Sequence, residues 1–226
     1  MPAKRALAAS LLLLVGCPQP AAAAAPEPSI QAPAAALESR ETGRRRIAIF
    51  SGGCFWGIEA IFSHLKGVTS AISGYQGGTR ATADYETVSS GRTGHAESVR
   101  VTYDPAVIRY DQLLRVFFSV GADPTLLNRQ GPDQGTQYRS ALVPLDPGQR
   151  RVAEAYLGQL GAARLWRGTI VTRIEPDKGF FPAEAYHQDF AANHPDHGYI
   201  RFWDAPKVAA LRRLFPDLYK PAFTRG

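Results

Sequence analysis

Cys54 stands in the run Gly52-Gly53-Cys54-Phe55-Trp56-Gly57, between a short apolar stretch (47–50) and a segment with helical spacing. A strand, a glycine turn and a cysteine on the first turn of a helix place sulfur where unpaired N–H groups and the helix dipole favour an anion. The thiolate is therefore expected to be accessible near neutral pH, and with it nucleophilic chemistry at sulfur. The glycines let the chain turn without a Cβ clash, and Phe55 and Trp56 can wall a small apolar pocket beside the thiol. A buried structural cysteine is the plain alternative, but it would need neither the turn nor the helix start.

Chemistry at such a sulfur also needs a proton donor. Gly91-Arg92-Thr93-Gly94-His95-Ala96-Glu97 is a glycine-flexed segment leading into a strand, with Glu97 at its edge. A carboxyl placed beside Phe55 and Trp56 loses solvation, holds its proton to higher pH, and can donate it near neutrality. A strand-end glutamate in solvent would do none of this. The stretch 128–138 is dense in polar side chains and glycine, as site-bearing loops are. Tyr85 and Tyr138 each offer a hydroxyl donor, or else simple packing.

The elements that must hold these groups alternate without a strict βαβ rhythm. After the strand at 47–50, Ile58, Ile61, Phe62 and Leu65 predict a one-faced helix over about 54–66, stopped by Gly67. Residues 68–75 read as a strand, 79–94 as irregular, and the alternation of Val99, Val101 and Tyr103 as a half-buried strand. Asp111 is placed to cap a helix carrying Leu113, Leu114, Phe117 and Phe118. Residues 141–145 form a short strand that Pro144 confines to an edge or an end. Asp146-Pro147 opens a helix through Val152, Tyr156 and Leu160. Residues 169–175 are strand-like, and 184–192 and 206–214 are short helical pieces. The sum is an α+β two-layer fold, with helices packed on a mixed sheet.

Five ordered motifs resemble one family. They are Gly53-Cys54-Phe55-Trp56-Gly57; Ser90-Gly91-Arg92-Thr93-Gly94-His95-Ala96-Glu97; and Leu127-Asn128-Arg129-Gln130-Gly131 through Gly135-Thr136-Gln137-Tyr138-Arg139-Ser140. The others are Phe181-Pro182-Ala183-Glu184 with Tyr186-His187-Gln188-Asp189, and the tail from His194-Pro195 to Pro216. Over about residues 46–220 the chain is similar to the A-type peptide methionine sulfoxide reductases, which act on the S epimer of methionine sulfoxide in proteins and as the free amino acid.

The resemblance implies a ferredoxin-like core and assigns the roles. Cys54 is the nucleophile that becomes a sulfenic acid, and Glu97 protonates the sulfoxide oxygen. Tyr85 and Tyr138 donate hydroxyls to that oxygen, and Asp133 helps set the site. Phe55 and Trp56 hold the substrate methyl group, and His187 joins them in substrate binding. No cofactor and no metal are implied. An external thiol supplies the electrons, whether thioredoxin-like, glutaredoxin-like or a small thiol.

The chain departs from many relatives in having no cysteine over 208–226, Ser89 where a cysteine is common, and Ala83-Asp84 where Asn-Pro is frequent. This is a one-cysteine form, and no internal disulfide can form in its body. A Cys–His hydrolase using His95 or His187 leaves the glutamate and the tyrosine pair unexplained. A non-catalytic binding module does not account for Cys54, Glu97, Tyr85 and Tyr138 standing together. His187, His194 and His197 lack the spacing of a metal site, and packing or hydrogen bonding explains them.

Of the two cysteines, the other is Cys17. Lys4 and Arg5 precede an apolar stretch over 6–15 that is too short to span a bilayer, ending Leu14-Val15-Gly16-Cys17. This looks like the lipobox of bacterial lipoproteins, with lipidation at Cys17; ordinary cleavage over 21–25 is the alternative. The expected organisation is a signal peptide over 1–16, an Ala- and Pro-rich tether over 17–43 and a catalytic domain over 44–226. A place in the bacterial cell envelope follows, periplasmic or lipid-anchored. The net charge of +6, which falls to +4 without Lys4 and Arg5, is spread without a basic stripe, so nucleic acid is not an expected partner. The expected partners are oxidised proteins, free methionine sulfoxide and the thiol reductant, and the expected state is a monomer.

Overall fold

The computed structural model describes residues 29–226; the expected signal peptide over 1–16 and the expected lipidation site, Cys17, lie outside the described residues. Strand β1 (Arg46–Ser51) turns through two glycines into helix α1 (Phe55–Ser63), and strand β2 (Val68–Gln76) follows. The short helix α2 (Tyr85–Ser89) precedes strand β3 (Ala96–Tyr103), and helix α3 (Tyr110–Val116) runs into a π-helical turn over Phe117–Gly121. The two-residue strands β4 (Arg129–Gln130) and β5 (Asp133–Gln134) make a small hairpin. Strand β6 (Ala141–Val143), helix α4 (Pro147–Ala163), and strands β7 (Arg173–Ile174) and β8 (Phe180–Pro182) come next. Helix α5 (Phe190–Asn193), a π-helical turn over Ile200–Asp204 and helix α6 (Ala205–Leu214) close the chain.

The main sheet has the order β7-β6-β1-β3-β2-β8. Its middle four strands are antiparallel neighbours, in the arrangement that two interleaved βαβ units produce. This is the ferredoxin-like order, and the parallel β6–β7 pair makes the sheet mixed, as expected. Hydrophobic side chains from β1, β2 and β3 pack with α1, α3 and α4, including Phe50, Phe62, Tyr103, Leu113 and Tyr156.

Local patterns predicted several elements correctly. Asp146 caps α4 by accepting the Gln149 N–H at 2.9 Å, with proline in the first turn. Pro144 lies just beyond the end of β6, although β6 itself is flanked on both sides. Helix α1 ends at Ser63, earlier than predicted, and the chain turns through Gly67 in the left-handed region. It is also buried nearly all round, because α5 and α6 cover the face that would otherwise meet water.

Three readings need correction. Residues 79–94 contain α2, whose Asp84 accepts the Thr87 N–H at 2.9 Å; five residues are too few to show a period. Asp111 does not cap α3. It sits inside the first turn and accepts from Ser39 N–H and Oγ, while Arg109 precedes the helix.

The described part of the predicted tether, 29–43, is docked rather than free. Ala32 is fully buried, its N–H donates to Ser119 Oγ at 2.9 Å, and its carbonyl accepts from Arg115 Nε at 2.9 Å. The Tyr156 hydroxyl donates to the Pro33 carbonyl, and Gln159 bonds both Ala34 and Ala36. Side chains from α3, α4 and the following turn therefore satisfy the backbone of an extended strap. Its composition gives no sign of this, since its partners lie far along the chain.

Candidate active site

The turn between β1 and α1 is fixed by what surrounds it. Gly53 has φ +87, and a Cβ there would lie 2.6 Å from the Gln130 side chain. Gln130 is held in turn by Asp123, accepting its N–H at 2.9 Å and donating to its carbonyl at 2.8 Å. Cys54 follows as the N-cap residue of α1, half-buried, and is the only cysteine among the described residues. It lines a cavity with Gln130, Asp133, Tyr199, Trp203 and Lys207.

Glu97 stands on β3, paired across the ladder with Tyr75. By the two-residue period it shares a face with Val99, Val101 and Tyr103, occupying the place of a core residue at 3% exposure. Its Oε2 accepts the Phe55 N–H at 3.0 Å, an amide that the helix start leaves without an internal partner. Burial, followed by the charges of Asp133 and Asp204, pushes its carboxyl up to about 8, against the pull of that N–H. It is a protonated acid at neutral pH, as expected.

The expectation for Cys54 is reversed. Burial above all, then Glu97, Asp204 and Asp133, push the thiol well above its ordinary value; the Trp56 N–H works the other way. The helix start is real, but desolvation and three acidic neighbours outweigh it. The resting sulfur is a thiol.

Tyr85 and Tyr138 come to the same place. Burial, then the charge of Glu97, opposes ionisation of both phenols, so each keeps a proton to donate. Tyr85 is fixed by its own N–H donating to Glu184 Oε1 at 2.9 Å. Tyr138 lies beside Arg139, whose guanidinium holds Glu175 at 2.7 and 2.8 Å and the Gly94 and His95 carbonyls at 3.1 Å. That fork ties the loop before Glu97 to the loop carrying Tyr138. Asp133, on β5, accepts the Tyr199 hydroxyl at 2.5 Å.

The aromatic wall differs from the expected one. Phe55 is 1% exposed, packed between Tyr75 and His187, so Trp56 is the ring of the two that keeps accessible surface. Trp56 is stacked on Phe190 at 3.8 Å and met edge-on by Tyr199. His187, placed with the substrate-binding residues, is 2% exposed and lies behind this wall. Its Nδ1 accepts the Trp56 indole N–H at 3.1 Å, so it orients the tryptophan.

The residues missed are Tyr199, Trp203, Asp204 and Lys207. All lie at or near the second π-helical turn, whose irregular winding leaves no period to read. Among the described residues, no group of three His, Cys, Asp or Glu side chains converges as a metal site requires.

Comparison with known proteins gives the arrangement its context. A family model described as peptide methionine sulfoxide reductase matches residues 46–218. Peptide methionine sulfoxide reductase MsrA 2 of Mesorhizobium japonicum is 56% identical over 172 residues, 76% of this chain and 88% of that protein. The Synechocystis sp. protein of the same name is 46% identical over 195 residues, 86% of this chain and 90% of its own length. Among solved structures, methionine sulfoxide reductase A of Corynebacterium diphtheriae superposes with a TM-score of 0.58 at 34% identity, covering 80% of this chain and 88% of that one. Because the family model takes in all but the ends, and such relatives span three quarters or more of it, the chain belongs to the peptide methionine sulfoxide reductases, enzymes that reduce methionine S-sulfoxide with electrons from thiols.

Proposed function

We propose that Cys54 is the nucleophile of this reductase and Glu97 its acid. The observation that carries the reading is the bond from the Phe55 N–H to Glu97 Oε2, which sets a protonated carboxyl beside the residue next to the thiol. The Cys54 sulfur attacks the sulfoxide sulfur while Glu97 lends its proton to the departing oxygen and takes up the thiol proton. An S–S bond to the substrate forms as its S–O bond breaks and hydroxide leaves. That oxygen then attacks the Cys54 sulfur, the S–S bond breaks, and thiol and sulfoxide end as sulfenic acid and sulfide with every atom accounted for. Tyr85 and Tyr138 hold the oxygen by their hydroxyls. Asp133, bonded to Tyr199, steadies the hairpin beside the sulfur. Trp56, aimed by His187 and backed by Phe55, faces the substrate methyl group. Donors on one side and a ring on the other favour one sulfoxide configuration.

The return half-reaction uses thiols from outside the chain. One thiol attacks the sulfenic sulfur, expelling water and leaving a mixed disulfide; a second frees Cys54 and departs as the oxidised thiol. The absence of any cysteine over 55–226 supports this one-cysteine cycle, with a thioredoxin-like, glutaredoxin-like or small thiol as reductant. Oxidised proteins and free methionine sulfoxide are the substrates, and the enzyme works as a monomer. The leader over 1–16 and lipidation at Cys17 place it in the cell envelope. The catalytic unit includes the strap, so it begins before residue 44.

Turnover of the two methionine sulfoxide epimers with dithiothreitol tests the assignment. Wild type consumes the S epimer, and Cys54→Ser falls below about one hundredth of that rate while keeping its circular dichroism, the loss expected of a missing nucleophile. Appreciable turnover by a folded Cys54→Ser protein would refute it.

A further inference from the structure

Asp204 immediately precedes α6, at its N-cap position, yet its side chain accepts none of that helix's N–H groups. The π-helical turn runs straight into α6 there, with Asp204 at helical backbone angles, so its carboxylate is not called on as a cap. Here it faces α1 instead. A Cβ at Gly57, in the first turn of α1, would fall 2.2 Å from Asp204 Oδ1 and 2.8 Å from its Cγ, so the carboxylate occupies the space that the glycine leaves open. The residue is 1% exposed. Lys207 Nζ stands 3.5 Å from Oδ1, and Oδ2 is buried without a hydrogen-bond partner. A buried carboxylate so thinly partnered disfavours folding, which makes stability a poor account of its presence.

We propose that Asp204 is a positioning residue whose carboxylate, set against the first turn of α1, offsets the positive end of that helix and keeps the protons of the resting enzyme on Cys54 and Glu97. The proposal rests on the roles given above to those two residues. The groups that face Asp204 are Cys54 at the start of α1, Glu97 on β3, Asp133 on β5, Tyr199 before the π-helical turn, and Lys207 on α6. A helix start alone would favour both the thiolate and the Glu97 carboxylate. A fixed negative charge beside it disfavours both. Burial pushes Asp204 up to about 6, with Lys207 opposing, so it is charged at neutral pH while Glu97, near 8, is not. The charge thus resides on the acid that does no chemistry. The thiol stays inert to electrophiles until a sulfoxide oxygen takes the Glu97 proton.

The test pairs two pH profiles, Cys54 alkylation by iodoacetamide and kcat/KM for sulfoxide reduction. Both are measured in Cys17→Ala protein with and without Asp204→Asn or Lys207→Met. Asp204→Asn moves the thiol titration and the alkaline limb of kcat/KM to lower pH. A one-unit fall raises the thiolate fraction about tenfold and, after the accompanying loss of nucleophilicity, the alkylation rate about threefold below the titration. Lys207→Met leaves the carboxylate less compensated and moves both profiles the opposite way. Unmoved profiles in folded Asp204→Asn protein overturn the proposal; if that variant does not fold, unmoved profiles in Lys207→Met do so. Alkylation reads Cys54 without substrate, so a shift there beside an unmoved reductase limb supports the proposal at sulfur and counts against Glu97 as the acid.

Discussion

At Glu97, burial and the charges of Asp133 and Asp204 all oppose ionisation, while the Phe55 N–H favours it. The balance raises the carboxyl from 4.5 to about 8, and the sign of the pH dependence follows. An acid must hold its proton to give it, so reduction falls as pH rises through about 8. Folding responds in the same direction. The protonated form is the one the buried site accepts, so this group's contribution to stability is complete below 4.5 and is lost as pH climbs towards 8. Glu97→Gln should slow reduction by roughly 10²–10⁴-fold and flatten that limb. A rate at neutral pH equal to wild type would mean that Tyr85, Tyr138 or water supplies the proton. Glu97 was legible as an acid through the family resemblance, because its own segment, Gly91 to Ala96, fits a strand-end glutamate in solvent equally well. The thiol form of Cys54 was not legible, because it depends above all on burial and then on Glu97, Asp204 and Asp133, acidic residues that only the fold brings together.

Among the elements, those written in local patterns were readable: the β1–turn–α1 unit, the alternation along β3, the Asp146 cap of α4 and the short α6. Elements held by distant partners were not. Helix α2 shows only its Asp84 cap, and α5 spans four residues. The strap along α3 and α4 reads as a tether because alanine and proline carry no period, whereas Ser119, Arg115, Tyr156 and Gln159 supply its bonds. These contacts make the strap part of the stable fold. Each buried hydrogen bond contributes about 1 kcal/mol net, part of which ordering the strap offsets. Deleting residues 1–43 should therefore lower Tm by at least about 4 °C relative to deleting residues 1–28. Equal melting temperatures would show that the strap adds nothing.

For the whole molecule, the alternation of elements gave only a two-layer α+β fold, and the sheet order β6-β1-β3-β2 was legible only through the family resemblance, which implied a ferredoxin-like core. Location belongs to the same scale. Anchoring through acyl chains at Cys17 predicts that wild-type protein sediments with bacterial membranes and that Cys17→Ala does not. A soluble mature form whose N-terminus lies within 22–26 would show ordinary signal cleavage instead. If one thiol carries the oxygen alone, intact mass after a single turnover reads it directly. Cys17→Ala protein is mixed with one equivalent of methionine S-sulfoxide and no reductant. The expected products are one equivalent of methionine and a protein heavier by one oxygen, trapped by dimedone at Cys54. A disulfide-linked dimer formed in stoichiometric yield, or methionine released with no change at Cys54, would contradict a single-thiol route.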